Sequence, residues 1–365
     1  MSLILIEGFE TGMRDWDMGG FTSGGPSGPL HNITWGPAYR RSGNMGVCLS
    51  GTYVTAKHDL RPTGTHFVVG FAFRTTGLSS APIVTLTNLT GQSLFRLSTH
   101  YMGYFEATAI GGSQGDLLLG STHAPLEPGT WYYVEVRVRL PSTPDMNDGE
   151  LEIRINDELQ VDVSGVNNFR WWHYHYNPTI LHLDHVGNPA YSVQPRFGQI
   201  WLGARWADNI HFDDLYVAND GLFRGDSGMN VLQPVGAGDT TQWTPVGTTP
   251  NYACINEVDA DDGATYVEAV GLGLRDLYTL EQLASVGTIH GVQPIFRARK
   301  SAAAGSTAVR SVILDGATTS MGATHYLNFP DYNNPYGDVW ITRPGIGTPW
   351  TLGAVNALQI GIESA

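Results

Sequence analysis

GTWYYVEVRVRLPSTPDMNDGELEIRINDELQVDVSG, residues 129–165, is the stretch on which the fold turns. Val134, Val136, Val138 and Leu140 alternate with Glu135, Arg137 and Arg139. After a loop at 141–149, Leu151, Ile153 and Ile155 alternate with Glu152, Arg154 and Asn156. A period of two marks strands with one apolar and one polar face, so the segment reads as a β-hairpin. Its polar face sets Glu135, Arg137 and Arg139 opposite Glu150, Glu152 and Arg154, an expected solvated face with cross-strand ion pairs worth roughly 0.2–1 kcal/mol each. A turn at Asn156 and Asp157 leads into a third strand, LQVDV.

Outward from this hairpin, strand patterns recur at 3–7, 46–50, 66–74, 82–87, 93–98, 104–110, 198–203 and 209–217. No segment sustains the apolar spacing of three and four that a long helix needs. The chain has 45 Gly and 20 Pro, with aromatics at 11% and charged residues at 15%, below the roughly 25% charged content of ordinary soluble proteins. Short strands joined by neutral Gly/Pro turns predict an all-β class and a sandwich. At 365 residues, two domains are expected. The texture changes after residue 222: a Gly/Thr/Asp-rich connector is expected over 223–262. Strands return at 265–270, 289–300, 308–314, 323–328, 337–342 and 355–363, so 263–365 reads as a second, smaller β-sandwich domain.

Gly129-Thr130-Trp131 opening a strand, the turn inside INDELQV, and the closing WADNIHFDDLYVAND occur in an order that resembles the laminin-G-like, concanavalin-A-like jelly roll, over residues 1–222. That resemblance implies that the closing strand pairs near the first, LILIEGFE. The later phrases FRGDS, GAGDTTQWTP, NYACINE, DDGATYV and GIGTPWTLGAVNALQIGIE are similar to the C-terminal half of tailed-bacteriophage virion proteins that carry such a domain in front. This second resemblance implies a non-enzymatic virion structural protein, a capsid decoration or tail-associated component. Its partners would be other virion proteins, its assembly a homo-oligomer, and its location the virion after synthesis in the host cytoplasm. The alternative, from the jelly roll, is a carbohydrate-binding adhesin or host-surface-binding module, or a degraded glycan hydrolase, with a glycan as partner.

Charge excludes one class of partner. A formal charge of −14 argues against a phosphate-tracking surface and so against nucleic acid. The start, MSLILIEGFE, has four apolar residues in a row before Glu7, too few for a secretory core or a membrane span. Cys48 and Cys254, in different expected domains and each inside a strand-like run, read as buried free thiols.

The candidate sites are few. WWHYHYNPTILHLDH, residues 171–185, lies in a connection of roughly thirty-five residues, far longer than usual. Trp171, Trp172, His173, Tyr174, His175 and Tyr176 have the composition of an interface core or a glycan contact. Packing over the domain's own open face is a further reading. His173 and His175, with His182, Asp184 or His185, permit a metal without demanding one. Asp213 and Asp214 form a subordinate calcium candidate, and DADDG at 259–263 lacks the Glu that a calcium loop would place at Val270. GELEIRIND supplies Glu150 and Glu152, but Arg154 and Ile155 stand where a retaining glycosidase needs its further acid. Arg224-Gly225-Asp226 reads as a chance tripeptide. No catalytic residue and no cofactor is expected.

Overall fold

The computed structural model describes the chain apart from residues 1–2, 10–15, 21–32, 51–53, 61–64, 89–92, 111–115, 124, 143–145, 167–196, 205–208, 258–260, 285–286, 303–306, 331 and 333–336. The chain divides into two compact units, Met1–Met229 and Asn230–Ala365.

The first unit runs β1 (Leu3–Glu7), β2 (Asp17–Gly20), β3 (Ile33–Gly36), β4 (Gly46–Ser50), β5 (Val54–Asp59), β6 (His66–Thr75), β7 (Ala81–Thr87) and β8 (Ser93–His100). It continues through β9 (Tyr104–Ala109), β10 (Leu117–Ser121), β11 (Tyr132–Arg139), β12 (Gly149–Ile155), β13 (Glu158–Val166), β14 (Gln199–Ala204) and β15 (Asn209–Ala218). One sheet has the order β13-β12-β11-β6-β15-β4-β3, with β1 also paired to β15; the other has the order β10-β9-β8-β7-β14-β5-β2. Every pairing among the described strands is antiparallel, and the two sheets enclose one apolar core, the jelly-roll sandwich that the resemblance implies.

The alternation that identified the hairpin sets this layering. Val134, Val136, Val138, Leu151, Ile153 and Ile155 point inward, against Phe67, Phe71 and Phe73 of β6 and Phe212 of β15. Burying side chains of this size stabilises by roughly 1.5–3 kcal/mol each. Glu135 pairs with Arg154, Arg137 with Glu152 and Arg139 with Glu150 in the observed register. Asn156 and Asp157 take φ of 50° and 68° in the turn to β13, the left-handed pair that a tight two-residue hairpin needs. β15 does pair with β1, Tyr216 opposite Ile6.

The second unit is smaller. Its strands are β16 (Pro234–Thr241), β17 (Thr244–Val246), β18 (Tyr266–Glu268), β19 (Arg275–Leu280), β20 (Ala308–Asp315), β21 (Thr318–Tyr326) and β22 (Gln359–Ser364). A five-stranded sheet, β16-β19-β22-β20-β21, stands beside a ribbon of β17 and β18. Ile313 packs with Trp350 and with Ala354 and Val355 of a short helix, Leu352–Asn356. Residues 234–241, inside the stretch read as connector, form an edge strand. Their sequence, PVGAGDTT, hides it because glycine replaces the branched residues of an ordinary strand. A Cβ at Gly238 would lie 2.7 Å from the Leu277 carbonyl carbon, so glycine is what permits the close approach. Conversely, 289–300 and 337–342, read as strands, contribute the isolated bridges Ile289–Trp350 and Val292–Trp340.

Candidate functional site

Part of the outer face of the eight-stranded sheet is covered by the chain itself. Residues 220–229, following β15, run back over it as a strap. Tyr216 lies across β6, where a Cβ on Gly70 would come within 2.1 Å of its ring. From there its hydroxyl donates to Glu135. The same carboxylate oxygen of Glu135 accepts the backbone N–H groups of Arg224 (2.8 Å) and Gly225 (3.0 Å). Phe223 sits under two guanidiniums, 5.0 Å from Arg137 and 4.6 Å from Arg154. Glu135 and Glu152 are therefore buried, and the solvated face expected of the hairpin is corrected. The cross-strand pairs are present, Arg139 donating to Glu150 at 2.6 Å and Arg137 to Glu152; Phe223, from a segment some seventy residues downstream, lies against Arg137 and Arg154, while Arg139 and Glu150 stay partly exposed. Glu150 and Glu152 are committed to these ion pairs, with Arg154 adding a second contact to Glu152 at 2.7 Å.

Asp213 and Asp214 belong to the same clamp. Asp214 adopts φ 50° at a bulge where β15 shifts register against β6, which turns both carboxylates toward the loop after β3. One Asp213 oxygen accepts the N–H groups of Arg41 (2.6 Å) and Ser42 (3.0 Å), the other that of Asp214 (2.8 Å). One Asp214 oxygen accepts from the Ser42 hydroxyl and from Met229 N–H at 2.7 Å; the other faces the Arg41 guanidinium at 3.3 Å. All four oxygens thus face N–H, O–H or guanidinium donors, whereas a calcium shell is built of oxygen acceptors. Burial, then the neighbouring Asp214 charge, pushes the Asp213 carboxyl up to about 7, and burial raises Asp214 as well. Among the described residues no three His, Cys, Asp or Glu side chains cluster to hold a metal.

The Arg-Gly-Asp tripeptide is the strap's anchor. Arg224 pairs with Asp220 and Asp226 with Arg41, so both of its charges are engaged internally rather than presented.

The outer face of the seven-stranded sheet differs. Ile200 and Leu202 enter the core, so Gln199 and Trp201 between them point outward. Register places Trp201 beside Lys57 on β5 and Thr85 on β7, Thr85 beside Arg96 on β8, and Arg96 beside Thr108 on β9. Lys57 holds its ammonium 4.6 Å from the Trp201 ring centroid. The indole N–H donates to Gln199 at 2.9 Å, and the Gln199 amide donates to Asp59 at 2.7 Å. Arg96 reaches Asp116 at 3.4 Å, both substantially exposed. Along the same face His100 stacks on Tyr104, centroids 4.4 Å apart. This is a row of amide, carboxylate, hydroxyl and guanidinium groups around an outward indole, half-exposed among the described residues. It offers hydrogen bonds in both directions with an apolar plate between them.

Of the residues singled out by sequence, Trp171, Trp172, His173, Tyr174, His175 and Tyr176 lie outside the described residues. Asp213 and Asp214 are brought together, as a clamp. Trp201 was missed, although QIWLGA carried the signal: a Trp between Ile and Leu in a strand must face opposite to both. Cys48 and Cys254 are buried free thiols. No helix among the described residues is long and apolar enough to cross a membrane.

No protein-family model matches the chain, and no curated protein sequence matches it. Solved structures with similar chains exist. A sialidase is 8% identical over 60% of this chain, with a TM-score of 0.37, and the match spans 18% of that protein's length. The cellulose-induced protein Cip1 is 15% identical over 60% of this chain and 100% of its own, at 0.40. The catalytic domain of a glycoside hydrolase family 131 protein from Coprinopsis cinerea is 12% identical over 55% of this chain and 83% of its own, at 0.32. At such identities and superpositions the chemistry of those proteins stays with those proteins.

Proposed function

We propose that the first unit is a glycan-binding module and that its ligand lies on the outer face of the seven-stranded sheet. The observation that carries this reading is Trp201, turned outward on a sheet face away from the strap, with Lys57, Gln199 and Asp59 around it and Arg96 and Thr108 further along the same face. A pyranose presents C–H groups on its ring face and hydroxyls at its rim. The indole takes the first by apolar contact, and the surrounding amide, carboxylate and guanidinium groups take the second. The face is rigid because its side chains stand on strands, so little ordering cost falls on the protein when ligand binds. On the outer face of the eight-stranded sheet the strap lies over Glu135, Arg137 and Arg154. The virion reading retains the sequence resemblance as its support; its interface residues, 171–176, lie outside the described residues.

The test is a glycan array followed by titration calorimetry on the full chain. Trp201→Ala is expected to weaken binding at least about tenfold, since aromatic anchors commonly cost 2 kcal/mol or more. Arg139→Ala, on the other sheet, is expected to leave binding unchanged. Array ligands that bind equally well to Trp201→Ala, or an array with no binder, would reject the proposal.

A further inference from the structure

The polar groups on the outer face of the seven-stranded sheet are unevenly committed. On the β5 side of Trp201 they are spent on one another: the Lys57 ammonium lies against the indole, the indole N–H donates to Gln199, and Gln199 donates to Asp59. On the other side the register sets one residue per strand in a straight row, Thr85 on β7, Arg96 on β8, Thr108 on β9 and Leu118 on β10. Their neighbours along each strand, Val84 and Leu86, Phe95 and Leu97, Ala107 and Ala109, belong to the core, so the row faces outward. Thr85 is short and 9% exposed, which makes it a floor between two long side chains. Arg96 reaches across β9 to Asp116, the residue before β10, at 3.4 Å, with 32% and 44% of the two side chains exposed. A pair so open to water holds weakly. The Thr108 hydroxyl has no hydrogen-bond partner among the described residues, and Leu118 is 55% exposed.

Neighbouring strands stand about 4.8 Å apart, so the row from Trp201 to Leu118 crosses four spacings, about 19 Å. A single sugar on the indole would cover one end of this row and meet groups already paired with each other. The groups open to a ligand, Arg96, Asp116 and Thr108, begin two strands away. Reaching them from Trp201 takes an extended ligand with hydroxyls along its whole length and a repeat close to one strand spacing. A linear chain of pyranoses has that form, and about four units match the row. An extended peptide does not suit it. Peptides add to a sheet at an exposed edge, through backbone N–H and C=O groups, whereas this row crosses the face of the sheet, where the backbone groups are spent between strands.

We propose that this face binds a linear glycan along its length, the chain lying across the strands from Trp201 over Thr85 to Arg96 and Thr108, and not a terminal sugar. The inference rests on the glycan-binding reading of the first unit and names its ligand class. Calorimetry on the full chain tests it with cello-, xylo-, manno- and laminari-oligosaccharides, each from monosaccharide to hexasaccharide. In at least one series, affinity is expected to rise about tenfold or more from disaccharide to tetrasaccharide and to level off beyond it. Arg96→Ala is expected to weaken the tetrasaccharide about tenfold, the usual loss when a charged hydrogen-bond donor is removed, and to leave the disaccharide unchanged. Trp201→Ala is expected to weaken every length. Retained β-sheet circular dichroism in each variant excludes misfolding as the cause. Affinity that depends on Trp201 but is equal for monosaccharide and hexasaccharide would overturn the chain reading and leave the glycan-binding reading standing. The same holds if none of the four series binds while a branched or terminal sugar does so through Trp201. An Arg96→Ala effect that is absent, or equal at all lengths, would overturn the placement of the chain. Binding insensitive to Trp201→Ala would overturn both readings.

Discussion

Arg41 is a half-exposed cation that faces Asp214 and Asp226, donates to the Ser227 carbonyl, and lies 5.2 Å from the Tyr133 ring. Its removal would leave Asp214, fully buried, without its counter-charge. Arg41→Met is therefore expected to destabilise the first unit by about 3 kcal/mol, the usual cost of breaking a buried pair on one side, read as a lowered urea midpoint. Titration gives a second prediction. Asp213, pushed up to about 7, binds its proton more tightly in the folded state than in the unfolded one. Its stabilising contribution is full below pH 4 and is lost as pH rises through 7. His58 and His211 act in the other direction. Burial, seconded for His211 by Arg74, lowers both to about 4, so their contribution is full above pH 6.5 and is lost as pH falls through 4. The thermal midpoint of the first unit should thus pass through a maximum between these limbs, and Asp213→Asn should flatten the upper one. An upper limb of unchanged slope in that variant would show that Asp213 titrates elsewhere. Residues of this kind were poorly legible: DD in a strand was visible, but its donors, Arg41, Ser42 and Met229, stand far away in sequence.

At the scale of elements, the strap decides which face of the first unit can be used. Its hold consists of backbone N–H groups on buried carboxylates, from Arg224 and Gly225 to Glu135 and from Met229 to Asp214. A fragment ending at residue 229 is therefore expected to unfold cooperatively, whereas one ending at 222 strips Glu135 of the Arg224 and Gly225 N–H groups and Asp214 of the Met229 N–H. The shorter fragment should bind a hydrophobic dye and melt well below the longer one; equal midpoints would show that the strap contributes nothing. The β11–β12 hairpin shows where local reading stops. Alternation fixed its strands, its turn and its ion-pair register because these depend on neighbours a few residues apart. Alternation also implied a wet outer face, which was wrong because Phe223 and the strap come from outside the hairpin. The edge strand β16 was lost for the opposite reason: a strand that packs through glycine has no side-chain pattern to read.

At the scale of the whole molecule, the division after Met229 places the clamped strap in one unit and β16 in the other. Limited proteolysis is expected to separate the chain near 230–233, where the backbone is neither strap nor strand. A first cut between 222 and 229 would instead mean that the strap opens before the linker is cleaved. By itself the sequence determined the all-β class and the strands, turn and inward face of the β11–β12 hairpin, which follow from side-chain periodicity written locally; the jelly roll of the first unit and the pairing of its last strand with its first were implied by the resemblance of its motifs to the laminin-G-like family. Tertiary structure alone decided that a strap lies over one outer face of the first unit, that Asp213 and Asp214 clamp it, and that the Arg-Gly-Asp sequence is an internal anchor. Each of those depends on donors, rings or charges brought together across tens of residues or more, and the period of a strand carries no information about what will be laid over it.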